Sequence, residues 1–244
     1  GVTNTFPFPD SETLEKYYAK DYYGRGTKKF SGPVETLTIL NSKLRARKIR
    51  KLISQTGTNE TSPRVLDVGC GRATLLKQLS QLGCECYGVE RSKYPEENDA
   101  HNIDLYHGEL QKRNFEDSFF DAVIIWHVLE HLNQPSATLD EIVRISRPKG
   151  ILAIAVPNFS SFQSRIFKSN WFHLDIPRHL FHFDIQNLSG ALKQRGFCID
   201  SISTFSLEQN LFGFIQSFLN FLKFPGKPNT FYQLLKKSPG VHSK

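Results

Sequence analysis

The chain has 244 residues, 39% of them hydrophobic and 23% charged, with a net charge of +7 at pH 7. That length suits one large packed domain or two small ones, and four cysteines are too few at this size for a disulfide framework, so a reduced, intracellular setting is expected. No signal peptide and no apolar run of about 18 residues is visible, so no membrane-spanning helix is expected, and the positive charge admits a nucleic acid, an anionic membrane surface or a phosphorylated substrate without selecting one.

In chain order, residues 10–23 read as a helix carrying Tyr17, Tyr18, Tyr22 and Tyr23, followed by the loop GRGTKKFSGP. A second helix is predicted from about Pro33 to Gln55, with Pro33 suited to its first turn. Its basic run KLRARKIRK reads as a solvated face, with Leu44, Ile49, Leu52 and Ile53 on the buried side. After the linker TGTNETSP the pattern changes. RVLDVG reads as a short strand, and a helix with Leu75, Leu76, Leu79 and Leu82 on one face follows. CECYGVE is a second strand, in which Cys84 and Cys86 share a face and look like packing residues. NIDLYHG reads as a third strand and FFDAVIIWHV as a fourth. SATLDEIVRIS is a helix, GILAIAVPN a fifth strand, and DIQNLSGALKQRG a helix closed by Gly196. FCIDSISTF reads as a sixth strand, SLEQNLFGFIQSFLNFLKF as an aromatic-rich helix, and the rest as a polar tail, with no seventh strand evident.

Strands alternating with helices, several of them nearly continuous apolar runs, predict an α/β fold with a doubly wound, mostly parallel, Rossmann-like sheet. The chain divides on this reading into a helical N-terminal extension and linker (1–62), an α/β domain (63–206, with a helical insert at about 158–183 after the fifth strand), and a C-terminal helix and tail (207–244).

The informative motif is VLDVGCGRATLL, in which Gly69 and Gly71 stand at a strand-to-helix junction. Glycines there let the backbone turn sharply and come close to a ligand, and the helix start offers free N–H groups. A third glycine of the dinucleotide fingerprint would fall at Thr74 and is absent, while Asp67 stands just ahead of the loop. Glu90, roughly 19 residues past Gly71, ends the second strand where a carboxylate can accept two ribose hydroxyls. That acid suits either a nicotinamide dinucleotide or another nucleoside cofactor.

VLDVGCG, the acidic end of the second strand, FDAVIIWHVLEHLNQP and RPKGILAIAVPN, in this order, resemble the class I S-adenosylmethionine-dependent methyltransferases. LEHL is similar to the corresponding segment of the ubiquinone-biosynthesis O-methyltransferases. The resemblance covers about residues 63–206. It implies that Asp67, Gly69 and Gly71 hold the methionine part of the cofactor, that Glu90 binds the ribose with Arg91 beside the adenine, and that Glu109 and Leu110 flank the adenine amine. It places Trp126 and His127 beneath the sulfonium. Glu130 and His131 read as a hydrogen-bonding pair at a helix start rather than as catalysts. It also implies a sixth and a seventh strand, the last of which has no match here.

The segment WFHLDIPRHLFHFD, Trp171 to Asp184, follows the fifth strand and is expected at the carboxyl edge of the sheet, over the acceptor pocket. The resemblance makes His179 the best match to a histidine of the related enzymes. A base or acceptor-orienting role for His179, with His182 and His127 as alternatives, stands beside a purely structural one. Arg178 offers a site for an anionic acceptor group. No metal is expected, since no cysteine or close acidic pair completes His179 and His182.

The resulting expectation is O-methylation of a small or lipid-linked acceptor by a cytoplasmic enzyme, with peripheral membrane contact through the C-terminal helix. An RNA or protein methyltransferase is the alternative that the positive charge allows, though nucleic acid is not the expected partner. An inactive cofactor-binding scaffold and a nicotinamide enzyme are the others.

Overall fold

A computed structural model describes residues 1–10, 13, 14, 17, 33–57, 61–91 and 102–223. The predicted tyrosine-rich helix beyond Tyr17, the loop predicted after it, residues 58–60 of the TGTNETSP linker and the tail from Phe224 lie outside the described residues.

The chain divides into two compact units, residues 32–129 with 134–156 and residues 1–31 with 130–133 and 157–244. The first is built on five parallel strands: β2 (Arg64–Val68), β3 (Glu85–Glu90), β4 (Ile103–His107), β5 (Phe120–Trp126) and β6 (Ser146–Ala155). β1 (Thr3–Asn4) belongs to the other unit. The spatial order is β4-β3-β2-β5-β6. The chain therefore starts in the middle, builds outward through β3 and β4, and returns to the other side of β2 with β5. Val65, Leu66 and Val68 of β2 and Phe120 to Ile125 of β5 are buried, as strands covered on both faces must be.

Helix α1 (Pro33–Gln55) packs on this sheet. Ser42, Ala46, Ile49 and Ile53 recur at helical spacing and are buried, whereas Leu44, expected among them, is 53% exposed. Leu44 falls two residues short of Ala46, about 200° round the helix, so it cannot share the inward stripe. α2 (Thr74–Ser80) buries Leu75, Leu76 and Leu79, and Leu82 lies past its end and is exposed. Cys84 and Cys86 are both buried in the same cluster. α3 (Pro135–Ile145) joins β5 to β6 and buries Leu139, Ile142 and Ile145.

The other unit holds α4 (Phe162–Phe167), α5 (Ile185–Lys193), α6 (Leu207–Phe221) and a two-stranded antiparallel ladder of β1 with β7 (Phe181–His182). Asp184 and Asn187 form a reciprocal capping box at the start of α5, and Gly196, at φ +85°, closes its far end. The stretch FCIDSISTF is not a strand. Residues 198 and 200–205 are exposed, and the sheet ends at β6, so no strand ladder pairs its backbone there. Among the described residues the sheet thus has five strands, with neither a sixth nor a seventh. No helix among them is long and apolar enough to cross a membrane.

Candidate functional site

The register aligns Val68 with Val89 across β2 and β3, and with Ile125 across β2 and β5, so the three strands end together. This carboxyl edge is where the strand order reverses, and such a reversal opens a crevice for a ligand. The loop after β2 turns there. Gly69, at φ +74°, donates its N–H to the Val89 carbonyl at 2.7 Å, and a Cβ on it would lie 2.3 Å from a methyl of Val128. No side chain fits that spot without moving Val128, so the glycine is required by both conformation and contact. Gly71 follows at φ +55° with open space where a Cβ would stand, and its N–H donates to Glu90 Oε2 at 3.0 Å. The loop and the acid that ends β3 are therefore one hydrogen-bonded unit.

Asp67 is 6% exposed. Burial drives its carboxyl up to about 7, against the pull of Arg45 and with a smaller push from Glu90. A buried carboxylate in this state gains from any cation brought beside it. Arg45, on α1, lies with its guanidinium carbon 3.7 Å from the ring centroid of Trp126, the last residue of β5. Arg45 stands near Asp67 and over Trp126, a placement the sequence reading missed by taking its run of basic residues as a solvated face. His127 has φ +55° and donates its N–H to Ala155 O at 2.9 Å. Arg91 is exposed just past β3. Leu110 is buried at the start of a short helical turn, and the exposed Glu109 ahead of it pairs with Lys112 at 3.1 Å. Asp67, Gly69, Gly71, Glu90, Arg91, Glu109, Leu110, Trp126 and His127 all belong to one unit, together with Arg45.

The histidine segment belongs to the other unit. His179 Nδ1 lies 2.8 Å from the His173 carbonyl, and His131 Nδ1 lies 3.0 Å from the Arg178 carbonyl. A carbonyl can only accept, so both Nδ1 atoms carry a proton, and the neutral ring of His179 keeps its lone pair on Nε2. Burial pushes His179 down to about 3, with His131 lowering it further and Glu130 opposing. Asp175 is raised by burial while the guanidinium of Arg178, paired with it, pulls it back. Asp175 Oδ2 stands 3.7 Å from His179 Nε2. Glu130, His131 and His179 each offer one ligand atom, and the three atoms lie within 4.8 Å of one another, so this trio has the spacing to hold a divalent ion. Sequence reasoning paired His179 with His182 and so did not reach this trio. Its signal was the histidine next to Glu130 in LEHL. His182 instead faces Thr5, with Nε2 3.1 Å from its hydroxyl.

Residues 41–202, more than half of the chain, match the family described as "Methyltransferase domain". The chain belongs to that family. This methyltransferase domain has the class I, Rossmann-like architecture, and S-adenosylmethionine is the family's cofactor. It is 28% identical over 150 residues to a ubiquinone biosynthesis O-methyltransferase of Maricaulis maris, an alignment covering 56% of this chain and 59% of that protein. It is 32% identical over 132 residues to a demethylmenaquinone methyltransferase of Staphylococcus saprophyticus, covering 50% and 56%. The chain thus spans little more than half the length of these curated relatives. Among solved structures, the magnesium protoporphyrin IX methyltransferase of Synechocystis with bound SAH superposes with a TM-score of 0.55 at 18% identity, over 82% of this chain and 94% of that one. At that identity the likeness shows the fold. The residues at the carboxyl edge fit the cofactor: a glycine loop that a side chain would fill, a buried acid, and a second acid tied to the loop backbone.

Proposed function

We propose that this methyltransferase domain transfers a methyl group from S-adenosylmethionine to a hydroxyl of a small or lipid-linked acceptor. The observation that carries the proposal is the carboxyl edge of the sheet, where Asp67 is buried and the Gly69–Gly71 loop is hydrogen-bonded to Glu90. The names of the two relatives support a quinone-type acceptor.

Bound S-adenosylmethionine supplies a methyl group activated by a sulfonium. The chain's residues have to bind, align and exclude water. Asp67 takes the ammonium of the methionine part and Arg45 its carboxylate, a pair of opposite charges for a zwitterion. Glu90 accepts the ribose hydroxyls, with Arg91, Glu109 and Leu110 around the adenine and Trp126 and His127 beneath the sulfonium. His179 receives the acceptor's proton on Nε2, the nitrogen its bond to His173 leaves bare, and Glu130 and Asp175 stabilise the imidazolium that results. His182 and His127 are the alternatives for this step. A positioned base contributes about 10²- to 10⁴-fold.

Helix α6 supports peripheral contact with a lipid surface, because it leaves large apolar side chains exposed. Gln216 and Ser217 are buried, while Leu211, Phe214, Ile215, Phe218, Phe221 and Leu222, in and just past the helix, are exposed. An apolar face of this size has a purpose when it meets another apolar phase.

Methyl transfer to a catechol from methyl-labelled S-adenosylmethionine tests the reading. Asp67→Ala and Glu90→Ala are expected to lose cofactor binding, whereas His179→Ala keeps binding and loses transfer by about 10²-fold or more. Unchanged cofactor affinity in both acid variants would refute the site.

A further inference from the structure

The histidine segment is gripped from both sides within its own unit. On one side Leu180 N donates to the Glu130 carbonyl at 2.8 Å. On the other lies the segment Thr3–Thr5. β1 pairs with β7, Thr3 against His182 and Asn4 against Phe181, and Thr5 N donates to the Leu180 carbonyl at 2.9 Å. Thr5 is itself buried, and its Oγ1 lies 2.7 Å from the His179 carbonyl and 3.1 Å from His182 Nε2.

These distances settle where the protons are. The His179 carbonyl has none to give, so the single hydroxyl proton of Thr5 must lie on the 2.7 Å line. The hydroxyl can then only accept from His182, so Nε2 of His182 carries a proton and Nδ1 keeps the lone pair. His182 is buried, with its ring 5.2 Å from that of Phe159, and burial lowers its proton affinity, which keeps it neutral.

We propose that Thr5 is a positioning residue: it holds the His179–His182 segment in place and fixes His182 in the form protonated on Nε2, with Nδ1 as a bare acceptor. This rests on the reading that the segment serves the methyl acceptor. Its structural half does not depend on activity. The family match begins at residue 41, so this role lies outside the stretch that identifies the chain.

The test is a proton–nitrogen spectrum of the histidine rings of the full ¹⁵N-labelled chain, with His182 assigned by its absence in His182→Gln. The wild type is expected to show the proton on Nε2. Thr5→Val loses that preference and Thr5→Ser keeps it. Transfer to the catechol falls about tenfold to hundredfold in Thr5→Val, with affinity for S-adenosylmethionine unchanged, and returns in Thr5→Ser. A wild-type proton on Nδ1 overturns the proposal and needs no variant to fold. Wild-type tautomer and wild-type transfer in Thr5→Val overturn it equally. A wild type that methylates no catechol fails the functional reading instead, and the response of the ring to Thr5→Val then decides the positioning claim alone.

Discussion

On the proposed reading, Asp67 couples folding to the cofactor through its proton. Its folded carboxyl titrates near 7, above the ordinary value of 3.8. The unfolded chain therefore releases the proton first as pH rises, and stability falls between about 4 and 7 by an amount on the order of 4 kcal/mol. Asp67→Asn, which cannot ionise, is expected to match the wild type in denaturant unfolding at pH 4 and to exceed it at pH 8. The ligand reverses the sign. An ammonium favours the ionised acid, so wild-type affinity for S-adenosylmethionine should rise from pH 6 to pH 8, and calorimetric titration of Asp67→Asn should give a weaker, flatter profile. Gly69→Ala meets both the positive φ and Val128, and a loss of about 1–3 kcal/mol of stability with at least tenfold weaker cofactor binding is expected. Residues of this kind were legible in the sequence because the chain can turn in few ways there. Arg45 was not, because one arginine among several on a helix carries no mark of which way it points. Nor was the tautomer of His182, set by a threonine 177 residues away in the chain.

Helix α1 provides a sharper test of packing than any residue of the site. Ile53 is fully buried and Leu44 is open to solvent. Ile53→Ala should cost about 2–5 kcal/mol in denaturant unfolding, and Leu44→Ala should stay within about 0.5 kcal/mol. The helix itself was readable, expected from about Pro33 to Gln55 and found over that range. Its buried face was misread at Leu44, because inward direction is decided by the sheet beneath and the small residues Ser42 and Ala46 gave a weak signal. α6 inverts the usual rule. Its aromatic run predicted a helix, yet its packed side carries polar and small residues beside the rings of Phe212 and Phe214: Phe172 N donates to Ser217 Oγ at 2.9 Å, and Gly213 lets His173 approach so closely that a Cβ would lie 2.4 Å from its Nε2. Phe218→Ser is expected to leave unfolding unchanged and to weaken binding to anionic lipid vesicles in a sedimentation assay. Loss of stability with unchanged vesicle binding would assign those phenylalanines to the fold. FCIDSISTF failed as a strand for a related reason, since strand propensity is realised only where a neighbouring edge accepts the hydrogen bonds.

Across the whole molecule, the alternation of strands and helices was enough to predict the parallel sheet, and the order β4-β3-β2-β5-β6 brings the ends of β2, β3 and β5 together at the candidate site. The division into units was less legible. α1 joins the sheet through its core residues, and residues 130–133 leave the sheet unit for the one containing the histidine segment. Contacts far apart in the chain decide such boundaries, and local pattern does not reach them. The central claim is that the Gly69–Gly71 loop and Glu90 bind S-adenosylmethionine. Thermal unfolding of the wild type and Glu90→Ala with S-adenosylmethionine, its demethylated product and NAD, each at equal concentration, tests it most directly. The two sulfur nucleosides should stabilise the wild type by about 2.7 kcal/mol at 100 times their dissociation constants and Glu90→Ala far less, with NAD doing nothing. Stabilisation by NAD alone, or an equal shift in Glu90→Ala, would contradict it.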